Sequence, residues 1–83
     1  MRVSYEATRY VNGQYTVSEF GTVAEGITAI ETVGAGTLIR LVYSPNLHGG
    51  EDGKSVRAWQ LENGVWYALD LFIGGRLGLE NPH

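Results

Sequence analysis

Two Asn-Gly dipeptides, Asn12-Gly13 and Asn63-Gly64, punctuate the chain, each flanked by aromatic and β-branched residues. Asn-Gly supplies positive φ at both central positions of a type I′ turn. The twist of that turn matches two antiparallel strands, so each dipeptide predicts a two-residue hairpin. The first joins roughly Val3–Val11 to Gln14–Phe20, the second Ser55–Glu62 to Val65–Ile73.

Between the hairpins, Thr22-Val23-Ala24-Glu25 is a capping-box pattern, in which the threonine caps an early backbone N–H and the glutamate reaches back. Val23, Ile27 and Ile30 recur at i, i+4 and i+7 and form one apolar stripe. Gly34 and Gly36 stop the helix, which therefore spans Val23 to Val33. Gly26 costs about 1 kcal/mol relative to alanine, so the helix depends on tertiary packing. Thr37 to Ser44 is β-branched and apolar on both faces, as suits a central strand, and Pro45 ends it.

Residues Asn46 to Lys54 read as a glycine-bearing loop. Gly74 to His83 has no periodicity and reads as a poorly ordered tail, leaving residues 1–73 as one domain. The expected fold class is α+β: an antiparallel sheet of about five strands, order ββαβββ, with one helix packed on one face. Eighty-three residues make one domain with a thin stability margin.

The second turn forces a register. Leu61 faces Trp66, Trp59 faces Ala68, Ala58 faces Leu69 and Arg57 faces Asp70. Alternation sorts the hairpin into two sets. Val56, Ala58, Val65, Tyr67, Leu69 and Leu71 form the expected core face beneath the helix. Arg57, Trp59, Leu61, Trp66, Ala68, Asp70 and Phe72 form the other. One helix covers one face, so this second face needs another cover: the first hairpin, a second copy of the chain, or a different partner. Aromatic residues beside an arginine have the composition of interface hot spots. In the first hairpin Tyr10 faces Tyr15, and Glu6 faces Glu19. That like-charge pair is mildly destabilising, and an alternative register or a bulge near Glu19 would relieve it.

Catalytic and ligand motifs are few. His48 to Ser55 departs from a phosphate-binding loop because histidine stands where the first glycine is required and a strand follows instead of a helix. His48, Glu51 and Asp52 lack the alternating ligands of a calcium loop, and the other histidine, His83, is the last residue. With no cysteine there is no disulfide, thiolate zinc site or cysteine nucleophile. No catalytic constellation, metal site or cofactor motif is expected. Six basic residues are scattered against nine acidic ones, for a net charge of −3, which argues against nucleic acid as a partner.

No stretch approaches the roughly 20 apolar residues of a membrane helix, nor does the N-terminus have a signal-peptide core, so a cytoplasmic setting is expected. The leading expectation is a small non-enzymatic protein-interaction module of inhibitor or adaptor type. Its contact set would be Trp59, Trp66, Leu61, Phe72 and Arg57, docked on a protein partner. The alternative is a homo-oligomer binding a small ligand at its subunit interface, with Asn46–Lys54 as a lid.

Overall fold

The computed structural model describes residues 1–83 and has six strands and one helix. These are β1 (Arg2–Val11), β2 (Gln14–Phe20), α1 (Val23–Val33), β3 (Gly36–Pro45), β4 (Glu51–Glu62), β5 (Val65–Leu69) and β6 (Arg76–Leu79). The strands make one antiparallel sheet in the order β2-β1-β3-β4-β5-β6. Both Asn-Gly turns form as the residue types dictate, with Asn12 at φ 52° and Asn63 at φ 51°. The hairpin registers follow, Tyr10 opposite Tyr15 and Leu61 opposite Trp66.

Helix α1 is capped as its sequence implies. Thr22 Oγ1 accepts from the Glu25 backbone N–H at 3.2 Å and donates to the Glu25 carboxylate at 2.8 Å. Gly34 terminates the helix at φ 99°, its N–H donating to the Ile30 carbonyl at 2.8 Å. Its buried stripe of Ile27 and Ile30 meets Ala7, Leu38, Trp59, Leu61, Trp66 and Ala68 to form the core. Gly26 is buried on this stripe, where an added Cβ would stand 2.6 Å from Leu38 Cδ1. Gly36 opens β3 at φ 155°, and a side chain there would meet the Thr8 carbonyl oxygen at 2.5 Å.

The core overturns the expected assignment of faces. Trp59, Leu61, Trp66 and Ala68 lie on the face that carries the helix and join its core, and the set containing Val65, Tyr67 and Leu69 lies on the opposite face. The reason is topological. Strands β2 and β3 run parallel with β1 between them, and α1 bridges them. Crossovers of this kind are right-handed in about 98% of cases. In the β1–β2 register that hand puts the helix over the face of Phe20, Tyr5, Ala7 and Leu38. Leu38 stands opposite Trp59, so the same face continues into the tryptophans.

Three further expectations change. β5 ends at Leu69, and Asp70 turns the chain instead of pairing with Arg57. Residues 51–54 extend β4, so the loop shortens to 46–50. The expected tail contributes β6 against β5, and Pro82 beyond it is buried. The domain thus runs past Ile73.

Candidate functional site

The five residues singled out from the sequence separate into two environments. Trp59, Leu61 and Trp66 are 2%, 5% and 7% exposed and are core residues. Buried in the core on the helix-bearing face of the sheet, they are withdrawn from the surface, which corrects their assignment as exposed contact residues. Both indoles are fully satisfied. Trp59 Nε1 donates to Glu80 Oε2 at 2.6 Å, and Trp66 Nε1 donates to Glu31 Oε2 at 3.2 Å. The remaining two, Arg57 and Phe72, are exposed.

Arg57 is anchored. It donates to Glu80 Oε2 and stands over the Trp59 ring, its Cζ 5.1 Å from the centroid. Arg40, opposite it on β3, also lies 5.1 Å from the Trp59 centroid and donates to Tyr5 Oη at 3.2 Å. Two guanidinium groups thus lie against one indole, while Glu80 balances one of them. Cation–π attraction offsets the like-charge pairing.

Phe72 sits in a tight turn built by Asp70. The Asp70 carboxylate accepts from the Phe72 N–H at 2.8 Å and the Ile73 N–H at 3.1 Å. Gly74, at φ 74°, closes the turn. Backbone amides here are tied to one aspartate, so the apolar side chains point away from the body. Phe72 is 96% exposed and Ile73 is 84% exposed. On β6, Leu77 and Leu79 are also exposed. Val56, Arg57, Leu69, Leu71, Phe72 and Leu77, with Asp70, line an open depression of about 220 Å³ between the turn and β4.

Leu71, Ile73, Leu77 and Leu79 were absent from the contact set read from sequence. Leu71-Phe72-Ile73 resembles a continuing strand. The signal for a turn was Asp70 four residues ahead of Gly74-Gly75, an Asx-turn composition.

A second cluster lies on the face opposite the helix. The Glu6–Glu19 register is kept without a bulge. Ser4 Oγ and Tyr43 Oη donate to the same Glu19 oxygen at 2.9 and 2.5 Å. These donors, Tyr43 foremost and then Ser4, hold the Glu19 carboxyl below its ordinary value, and Glu19 in turn pushes the Tyr43 phenol up. Arg2 stacks on the Tyr43 ring at 4.2 Å. The like-charge pairing is thus relieved by hydrogen bonding in the predicted register.

The 46–50 loop folds on Asn46, whose Oδ1 accepts from the His48 and Gly50 N–H groups at 2.9 and 3.0 Å. It lies at the tip of the β3–β4 hairpin, and its shallow pocket is lined by Asn46, Leu47 and His48 of the loop with Pro45 and Asp52 of the flanking strands. No three His, Asp or Glu side chains converge in metal-binding geometry, and no helix is long and apolar enough to cross a membrane.

The arrangement is that of a one-helix, six-stranded antiparallel α+β domain with an apolar end. Comparison with protein-family models, with curated proteins and with solved structures finds no match.

Proposed function

We propose that the protein is a small interaction module that docks the β5–β6 end of its sheet on a protein partner. The observation that supports this is the exposure of Phe72, Ile73, Leu77 and Leu79, by 96%, 84%, 67% and 74%, on the turn and strand at this end of the sheet, with Phe72 and Leu77 lining one depression. Isolated apolar side chains are ordinary on a surface. Contiguous ones rimmed by charge mark an interaction site. Here Arg57 and Asp70 border the depression lined by Phe72 and Leu77, and an apolar surface with one aromatic anchor beside charge has the anatomy of a protein interface. The partner surface would present an apolar pocket for Phe72 with polar groups at its margin. Catalysis plays no part in this reading.

The test uses the turn itself. A partner identified by affinity capture is purified and titrated against the wild type and against Phe72→Asp/Ile73→Asp. Both side chains are solvent-exposed, so the variant should keep the wild-type far-UV spectrum and melting temperature while affinity falls at least about 100-fold, on the scale of a hot-spot loss. Undiminished affinity in a folded variant would refute the proposal.

A further inference from the structure

The two edges of the sheet are built differently. β6 is four residues long, carries Gly78 and pairs with β5 through an irregular register. Shortness and irregularity are ways of blunting an edge. β2 has neither. Its seven residues, Gln-Tyr-Thr-Val-Ser-Glu-Phe, pair with β1 without a bulge and include no proline, glycine, lysine or arginine. Its one charge, Glu19, is already engaged by Ser4 and Tyr43.

The hairpin turn decides which backbone groups are free. Closure of a two-residue turn pairs Val11 with Gln14 by hydrogen bonds, so Gln14, Thr16, Ser18 and Phe20 direct their N–H and C=O groups at β1. Tyr15, Val17 and Glu19 direct theirs outward. We infer that this edge pairs with the same edge of a second copy, extending the sheet across a two-fold axis.

Self-complementarity selects that occupant. Only one antiparallel register pairs all seven residues of β2 with one another, and it sets Val17 against the second copy's Val17 on the axis. Tyr15 then faces Glu19, Thr16 faces Ser18 and Gln14 faces Phe20. Every outward N–H and C=O meets a partner, and no two like charges oppose, as an isologous interface requires. An open apolar groove lined by Phe20, Ala24, Glu25, Thr28 and Ala29 flanks the same edge. The second copy's Gln14 would stand at its mouth, opposite Phe20.

The absence of cysteine permits a direct test. In the inferred register residue 17 alone meets itself, at a Cα separation of about 5.5 Å, within disulfide reach. Val17→Cys should therefore cross-link to a dimer on oxidation, whereas Tyr15→Cys should not. Sedimentation should give the wild type twice the chain mass. Val17→Pro should give a single chain mass with an unchanged far-UV spectrum, because the lost N–H serves no intrachain ladder bond. If Val17→Pro does not fold, Val17→Lys and Val17→Glu decide. Each alone should be monomeric, and an equal mixture should restore the dimer. A monomeric wild type at its highest soluble concentration would overturn the inference. So would dimers of Val17→Lys or Val17→Pro, or equal cross-linking by Tyr15→Cys.

Discussion

Replacing Gly26 by alanine sets two effects of opposite sign against each other. In an isolated helix the substitution stabilises by about 1 kcal/mol, because glycine loses more backbone freedom and alanine is the best helix former. In this molecule the new methyl would lie 2.6 Å from Leu38 Cδ1 and 3.5 Å from Tyr5 Cβ. Leu38 is fully buried and stands between α1 and Trp59, so its side chain cannot swing clear without disturbing the core. Overpacking of this kind costs about 1–3 kcal/mol. The balance for Gly26→Ala is therefore a net loss of about 1 kcal/mol, or a fall of about 4–8 °C in melting temperature for a domain of this size.

Leu38→Val removes the clashing δ-carbon and places a β-branched residue, well suited to a strand, at that position. In that background Gly26→Ala should turn stabilising by about 1 kcal/mol. Urea unfolding followed by the fluorescence of the two buried tryptophans measures all four corners of this double-mutant cycle. A stabilised Gly26→Ala in the wild-type background would refute the reasoning. So would an equal loss in both backgrounds.

Two other outcomes follow from the polar contacts. Because hydrogen bonds from Tyr43 and then Ser4 hold the Glu19 carboxyl below its ordinary value, the stabilising contribution of Glu19 is fully present above the ordinary carboxylate range. It is lost as pH falls through the folded-state pKa. Tyr43→Phe should raise the Glu19 midpoint seen by carboxyl NMR and flatten the acid limb of stability, and an unmoved midpoint would contradict the assignment. Deleting residues 74–83 removes β6 and the Glu80 acceptor of the buried Trp59 indole. An orphaned buried donor alone costs about 1–3 kcal/mol. Thermal unfolding of the truncated chain should therefore occur well below that of the full chain, whereas an unchanged transition would mean that the domain closes at Ile73.

Local structure was legible wherever one residue type had one conformational use. The Asn-Gly turns, the Thr22–Glu25 box and the Gly34 stop place both hairpins and the helix in the positions seen. Registers followed because a two-residue turn leaves no freedom in pairing. The covered face was not legible, since alternation separates two sets of side chains without saying which receives the helix. That choice depends on β1 lying between β2 and β3, a long-range pairing that no local pattern reports. The β6 strand escaped for a related reason. Its Arg-Leu-Gly-Leu is short and carries glycine, and it is held by side chains far away in sequence, Arg76 on Gln60 and Glu62, and by Glu80 on Arg57. Of the candidate contact set, the apolar size of the tryptophans was legible but their burial was not. The exposed turn became visible only once Asp70 was seen to cap it.

The strand order also bears on how quickly the molecule reaches this state. Four of its five ladders join strands that are neighbours along the chain, and only β1 with β3 spans intervening elements, β2 and α1. Hairpins of the former kind close in about 1–10 µs. The β1–β3 ladder must first close a long loop against its entropy, and the helix gains its packing surface only when those strands lie side by side. Zippering from β3 outward to β6 can therefore run ahead, while the joining of β1 to β3 sets the folding rate and brings Ala7, Leu38 and Ile30 together in a single step.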